Sequence, residues 1–165
     1  MRIVVFSDSH RDIESMLHVV DKAAPDMIIH LGDLIYDAVE VSRKFIEIPI
    51  EMVKGNCDLG SAASSYKMIT IEGKKIFMTH GDVFSVRTST SDLVAEGKKL
   101  GADLILYGHT HRPVLKKKKG IQLMNPGSIG KYSRGPWHPS FGVIEINSKI
   151  ECSLVNYDNF LSIEE

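Results

Sequence analysis

Two side chains that can bind a metal ion stand one residue apart at the end of the first apolar segment. Asp8 and His10 follow the run Ile3-Val4-Val5-Phe6, which predicts a buried β-strand. Residues at positions i and i+2 of extended backbone point to the same side, so both side chains could reach one ion. Asp and His are also common in ordinary turns, so the pair gains weight only from the segments that follow.

Four later apolar segments also end in groups that bind metals. A glycine adjoins most of these segment ends, and glycine permits the close backbone approach that a crowded site needs. Because ligands bind beyond the carboxyl ends of strands in α/β sheets, we expect these groups to converge. The full set of candidate metal ligands is Asp8, His10, Asp33, Asn56, His80, His109 and His111.

Seven groups exceed the ordinary coordination of one ion, and they suit two ions that share a bridging carboxylate. Mixed carboxylate, imidazole and amide ligands favour transition metals over Mg²⁺ or Ca²⁺, with Mn²⁺ first and Ni, Fe, Co or Zn as alternatives. Two such ions about 3.5–4 Å apart activate a shared water and clamp phosphate oxygens. The pattern therefore predicts hydrolysis of a phosphate ester by a dimetal-activated hydroxide, with no protein nucleophile.

The order of segments predicts an α/β fold in one domain that spans residues 1–165. Strands at 3–6, 26–31 and 49–53 alternate with two amphipathic helices, which indicates a parallel sheet with right-handed crossovers. The alternation weakens in the second half. There we predict a hairpin at 66–78, a helix at 89–100, and strands at 103–107, 114–116, 121–124, 141–146 and 150–157.

Composition narrows the function classes. The 165 residues carry a net charge of −1, so no overall basic field favours nucleic acid or an anionic membrane. We expect no membrane span and no signal peptide. Two cysteines suggest no disulfide framework and fit a reducing cytoplasm. We expect a small phosphate-ester substrate as the partner, and a homodimer or higher homo-oligomer is an open alternative to a monomer.

Taken in order, the segments that carry the candidate metal ligands resemble the motifs of the calcineurin-like metallophosphoesterase superfamily. The length and the Asn125-Pro126-Gly127-Ser128 segment are similar to its small prokaryotic phosphodiesterase branch. The resemblance implies an α/β/β/α sandwich of two mixed sheets flanked by helices. The matching segments are Asp8-Ser9-His10, Gly32-Asp33, Gly55-Asn56-Cys57-Asp58, His80-Gly81 and Gly108-His109-Thr110-His111.

The resemblance also implies roles for individual residues. One metal would be held by Asp8, His10, Asp33 and His111, and the second by Asp33, Asn56, His80 and His109. Asp33 would bridge the two ions. The catalytic group would include Asn56, Cys57 and Asp58, with Asp58 orienting its neighbours.

Cys57 departs from the histidine that many members of the superfamily carry at this position. A thiol is a weaker hydrogen-bond donor and normally carries no positive charge. The small phosphodiesterase branch shares this cysteine. We therefore expect weak activity on monoesters with poor leaving groups and higher activity on diesters.

Competing interpretations concern the same residues. A non-catalytic protein-binding scaffold, similar to the retromer subunit of this fold, would have a degraded site, whereas every ligand position is intact here. A nuclease would need a basic groove and an added domain.

We interpret His30 as a core histidine and 116–119 as a solvated hairpin tip, with a binding patch as the alternative. Ser128, Lys131 and Arg134 form a further hypothesis, a contact to substrate phosphate.

Overall fold

The computed structural model describes residues 1–131 and 138–162, and two five-stranded sheets face each other within these ranges. The strands are β1 (Arg2–Phe6), β2 (Met27–His30), β3 (Ile50–Met52), β4 (Tyr66–Ile71), β5 (Lys74–Thr79), β6 (Leu104–Leu106), β7 (Val114–Lys118), β8 (Ile121–Asn125), β9 (Ser140–Ile146) and β10 (Ile150–Asn156). The helices are α1 (Ile13–Ala23), α2 (Ile35–Lys44), α3 (Ser91–Lys99) and α4 (Tyr157–Leu161), with a 3₁₀ turn at Asp82–Phe84.

The strand order explains why the segment ends meet. The first sheet runs β10-β9-β1-β2-β3, and the second runs β4-β5-β6-β8-β7. Within the first sheet β1, β2 and β3 are parallel, and within the second β5, β6 and β8 are parallel. The remaining pairings are antiparallel, so both sheets are mixed. Parallel strands place their carboxyl ends at one edge, where the loops that follow them can form a common site.

Alternating side chains of β1 pack on the two faces of the first sheet. Ile3 and Val5 belong to the core between the sheets, together with Ile76 and Leu106 of the second sheet. Val4 and Phe6 point the other way, toward α1 and α2. All are fully buried, because each strand of a central layer has a hydrophobic partner on both faces.

The second sheet has its own helical layer. Phe77 and Ile105 pack against Leu93 and Val94 of α3. The layers are therefore helix, sheet, sheet and helix, and the predicted α/β/β/α sandwich is confirmed.

Most element boundaries differ from the sequence prediction by one or two residues, and the short helix α4 was not predicted. Helix α2 spans Ile35–Lys44, whereas the sequence pattern predicts a helix over about residues 37–46. The last predicted strand, 150–157, ends at Asn156, whose side chain accepts a hydrogen bond from the Asn159 amide and caps α4. A favourable N-cap residue starts a helix here, where strand periodicity alone predicted one more extended residue. Among the described residues, no helix has both the length and the apolar character that a membrane crossing requires.

Candidate metal centre

The candidate ligands form two groups of donor atoms that share Asp33. The first comprises Asp8, His10, Asp33 and His111, and the second comprises Asp33, His80 and His109. Within each group one ligand atom from every residue lies within 4.8 Å of the others. The loops after β1, β2, β5 and β6 supply these side chains, so residues more than a hundred positions apart meet at one edge.

Left-handed backbone is concentrated in the loops of this site. Asp8, His10, Asp33, His109 and His111 all have positive φ angles, between 45° and 66°. This conformation is uncommon for residues other than glycine, and such outliers cluster at functional sites where the surrounding structure maintains them. It turns the chain sharply after each strand, so that the side chains of a short loop point back to the sheet edge.

Hydrogen bonds fix one oxygen of Asp8 and leave the other without a partner. Asp8 Oδ2 accepts from Ser7 Oγ at 2.6 Å and from the His109 amide at 3.1 Å. Asp8 Oδ1 is buried and makes no hydrogen bond, although His111 Nε2 lies 3.1 Å away. A buried carboxylate oxygen without a hydrogen-bond donor requires a compensating charge. A bound cation would supply it, so the residues present fit a metal site.

Two pairs of imidazole nitrogens face each other across the site. His10 Nε2 lies 3.3 Å from His111 Nε2, and His80 Nε2 lies 3.1 Å from His109 Nδ1. His80 Nδ1 lies 2.8 Å from the Leu31 carbonyl oxygen, which can only accept, so Nδ1 carries a proton. In the neutral ring Nε2 then presents a lone pair toward Asp33 and His109, as a metal ligand must.

The charges of the cluster shift its pKa values. Burial alone would raise the pKa of Asp33, but the His80 ring and the Cys57 amide outweigh it and hold the pKa well below its usual range. Burial likewise opposes charge on His80, yet Asp33 and Asp8 raise the pKa of His80. The pKa of His109 is lowered by burial and by the neighbouring His80 and Arg87. Asp33 therefore stays ionised, as the predicted bridging role requires.

Asn56, Cys57 and Asp58 occupy the loop after β3, beside Asp33. The Cys57 amide donates to Asp33 Oδ1 at 2.9 Å. Asn56 is exposed, and its amide nitrogen lies 3.5 Å from Cys57 Sγ. The Cys57 side chain is also exposed. Partial desolvation, together with the Asp33 and Asp58 carboxylates, raises the pKa of Cys57 to about 11, so the thiol remains protonated at neutral pH.

Glycine is required where this loop meets the site. A Cβ atom at Gly55 would lie 2.2 Å from Asp33 Oδ1 and 2.9 Å from His80 Cγ. At Gly108 a Cβ atom would lie 1.9 Å from Ser7 Oγ, which orients Asp8. Both contacts are shorter than van der Waals distances allow, so the absence of a side chain lets the loops approach the ligands.

Several residues support the site through contacts that the sequence does not specify. Ser9 Oγ donates to Asp37 Oδ2 at 2.7 Å, and the same oxygen accepts from the Arg11 amide at 2.8 Å. The Asn125 side chain donates to the Gly108 carbonyl at 2.8 Å and to Thr110 Oγ1 at 3.0 Å. Sequence patterns do not specify these partners, because the contacts join segments distant in sequence.

Ser128 and Lys131, two of the three residues of the predicted phosphate contact, contact other parts of the protein in the structure. Ser128 Oγ donates to the Asp8 carbonyl at 2.7 Å, so it supports the loop after β1. The Lys131 ammonium lies 5.6 Å from the centre of the Tyr157 ring, at α4. Arg134 lies outside the described residues. His30 is fully buried and hydrogen-bonded, as predicted for a core histidine.

Comparison with known families assigns the chain to a protein family. The model of the calcineurin-like phosphoesterase superfamily domain matches residues 1–149. The protein belongs to this superfamily, whose members use divalent metal ions, and the predicted family is confirmed.

Two curated relatives illustrate the range of similarity. "Probable metallophosphoesterase YsnB" of Bacillus subtilis is 33% identical over 132 residues, which cover 78% of this chain and 75% of the relative. "Phosphodiesterase YfcE" of Escherichia coli is 24% identical over 169 residues, covering 88% of each chain.

Solved structures share the fold. A conserved protein of Streptococcus pneumoniae, described as a predicted phosphoesterase, superposes with a TM-score of 0.80 at 27% identity, covering 95% of this chain and 90% of that one. Wild-type Vps29 of Entamoeba histolytica, crystallised with Zn²⁺, gives a TM-score of 0.75 at 23% identity, covering 95% of this chain and 99% of that one. At that identity the second likeness concerns the fold alone.

Proposed function

We propose that this metallophosphoesterase is a phosphodiesterase that uses two divalent metal ions. The observation that carries the proposal is the pair of donor groups joined through Asp33. One ion would be held by Asp8, His10, Asp33 and His111, and the other by Asp33, Asn56, His80 and His109. When bound, the ions would supply Lewis acidity toward phosphate oxygens and lower the pKa of water, with Mn²⁺ the first candidate and Ni, Fe, Co or Zn the others.

The residues themselves maintain the geometry that this chemistry needs. Ser7 and the His109 amide hold one oxygen of Asp8, which leaves the other directed at the site. Leu31 sets the orientation of the His80 ring. Because these partners are fixed before any ligand arrives, little reorganisation is needed at the moment of reaction.

The preference for diesters follows from Cys57. A thiol with a pKa of about 11 is a poor proton donor, so the chain offers no strong acid to a departing alkoxide at this position. Esters whose leaving group is already a weak base should therefore react faster than alkyl monoesters. Asn56 would contact the second ion and the substrate, and Asp58 positions this loop through backbone hydrogen bonds.

The decisive test is hydrolysis of bis-p-nitrophenyl phosphate by protein stripped with a chelator and reloaded with one metal at a time. We expect turnover with Mn²⁺, its loss on chelation, and a decrease of at least about 100-fold in His80→Gln. His18→Gln, on the exposed face of α1, is the matched control and should retain activity. Absence of turnover with every one of the five metals, in folded protein that binds them, would refute the proposal.

The second candidate is a non-catalytic protein-binding scaffold, which the fold likeness to Vps29 motivates. The two candidates differ in what elemental analysis and affinity capture would find. A metal-free, inactive protein that captures one partner in stoichiometric amount would favour the scaffold. The two groups of donor side chains joined through Asp33 favour the enzyme.

A further inference from the structure

A groove with positively charged walls begins beside the loop that carries His109 and His111. Its volume is about 640 Å³, within the range of about 300–1,000 Å³ that small-molecule sites occupy. Four basic side chains and no acidic side chain line it among the described residues. We call it the basic groove and define it by Arg87, Thr90, Thr110, Arg112, Lys116 and Lys118.

Thr110 and Arg87 place the basic groove next to the loop that carries two of the proposed metal ligands. Thr110 lies between the two histidines in sequence, and its hydroxyl accepts from the Asn125 side chain at 3.0 Å. The Arg87 guanidinium donates to the His109 carbonyl at 3.3 Å while its side chain remains exposed. The proposed centre and the groove are therefore neighbours at the loop after β6, so a substrate at the centre is positioned to extend toward the groove.

Strand β7 divides the lysine run into two faces. Lys116 and Lys118 line the groove, whereas Lys117 does not, as the alternation of side chains along a strand requires. The solvated hairpin tip expected from the sequence thus describes only part of the run. Two ammonium groups on the same face of β7 repel each other, and a bound anion would offset that repulsion.

The far end of the basic groove meets the N-terminus of α3. Lys118 Nζ donates to Thr90 Oγ1 at 3.0 Å and to Ser91 Oγ at 3.2 Å, at the first residues of this helix. The N-terminal end of a helix carries partial positive charge and favours bound oxyanions. The same class of ligand, an oxyanion, is therefore favoured by the helix end, by the hydroxyl groups and by the basic side chains.

We propose that the basic groove binds a second phosphate group of the substrate, so that the preferred diester carries a further phosphate away from the scissile one. This inference rests on the proposed phosphodiesterase function for its account of the reacting phosphate. Arg and Lys side chains bind phosphate through charge-assisted hydrogen bonds, and four of them line one groove beside the loop that carries His109 and His111.

Binding can be tested without any turnover. Calorimetry on Mn²⁺-loaded protein would compare thymidine 3′,5′-bisphosphate with thymidine 5′-monophosphate. We expect the bisphosphate to bind at least about tenfold more tightly, and Lys116→Gln to remove most of this difference. Lys117→Gln is the matched control, because it removes the same charge from the other face of β7 and should leave the difference intact.

Kinetics provide the second readout on the same variants. The substrates would be thymidine 5′-(p-nitrophenyl phosphate) and its 3′-phosphorylated form, which differ only in the distal phosphate. We expect a lower KM for the phosphorylated form, with kcat little changed, and loss of this advantage in Lys116→Gln and Lys118→Gln. The Lys118 variant also loses its contacts to Thr90 and Ser91, so melting temperatures accompany both measurements.

The outcomes separate this inference from the proposed function. Equal affinity for the two nucleotides, or equal effects of the Lys116 and Lys117 variants, would overturn the inference even if the diester is hydrolysed. Failure of hydrolysis with an intact bisphosphate preference would overturn the phosphodiesterase function and retain the groove as an anion site. Inhibition by single-stranded oligonucleotides that strengthens steadily with length would overturn the assignment to a small substrate and indicate a polynucleotide instead.

Discussion

The Asp58 carboxylate accepts a hydrogen bond from the backbone amide of Asp33 at 3.0 Å. The same Asp58 oxygen accepts from the Gly55 amide at 2.7 Å, and the other oxygen accepts from the Ile35 amide at 2.9 Å. One side chain after β3 thereby fixes the turn after β2 that presents the proposed bridging ligand. Asp58 acts through Asp33, so we assign it as a positioning residue.

Asp58→Asn should destabilise the fold and weaken metal binding. The amide group of asparagine turns a donor toward at least one backbone N–H, and the charge that strengthens all three bonds is lost. We expect the free energy of unfolding to fall by about 1–3 kcal/mol in urea denaturation with chelator present. Asp21→Asn, on the exposed surface of α1, should change it by less than about 0.5 kcal/mol. Equal effects of the two variants would contradict this role for Asp58.

Asp33 and Asp58 also show how far sequence reasoning reaches. The candidate metal ligands could be predicted because apolar strands followed by glycine and metal-binding side chains recur in a fixed order along the chain. The bonds of Asp58 could not, because they depend on the left-handed backbone at Asp33, which propensity alone does not indicate. The family resemblance implied the α/β/β/α layers, whereas the sequence pattern itself indicated only a parallel sheet with helical crossovers in the first half of the chain.

The basic groove is a feature that the sequence alone could not predict. Its four cations come from the loop after β5, the loop after β6 and strand β7, and their convergence depends on the register of β7 against β8. A shift of one residue would turn Lys117 into the groove in place of Lys116 and Lys118. The sequence shows a lysine run but not its register, so the interpretation as a solvated tip was the simpler one.

Gly55→Ala should weaken metal binding more than it weakens the fold. The added methyl group would lie 2.2 Å from Asp33 Oδ1 and 2.9 Å from His80 Cγ, so both side chains must move. We expect the Mn²⁺ affinity measured by calorimetry to fall by about 10- to 100-fold. Gly120→Ala is the control, because its φ of 85° makes alanine strained while no atom lies within 4 Å. That variant should lose stability and retain affinity; unchanged affinity in Gly55→Ala would contradict the argument.

His30 should make the metal-free fold less stable in acid. Burial lowers the pKa of His30 from 6.5 to about 4, despite the opposing charges of Asp37 and Asp58. The ring accepts from the Gly32 amide through Nδ1, and Nε2 lies 3.1 Å from Ser9 Oγ, so a second proton would break the first bond. Between about pH 6.5 and pH 4 the unfolded chain therefore binds a proton that the folded chain does not, and stability falls as the pH falls.

The size of this effect can be measured by urea denaturation in chelator at several pH values. The lowering of the pKa from 6.5 to about 4 corresponds to about 3 kcal/mol of folding stability. We expect this stability to be fully retained above about pH 7 and fully lost below about pH 4. In His30→Gln this component of the pH dependence should disappear, while His18→Gln should retain it. Parallel curves for the wild type and His30→Gln would show that His30 does not contribute.

Cys57→His should shift activity from diesters toward monoesters. The backbone amide that holds Asp33 is kept, while the exposed thiol is replaced by an imidazole that can carry a proton near neutral pH. A proton donor of this kind typically contributes about 10²–10⁴-fold, so we expect kcat/KM for an alkyl phosphate monoester to rise at least about tenfold relative to bis-p-nitrophenyl phosphate. Cys57→Ser, which adds no acid, should leave the ratio of the two values unchanged. If Cys57→His retains its metal and shows the wild-type ratio, Cys57 does not determine the preference for diesters.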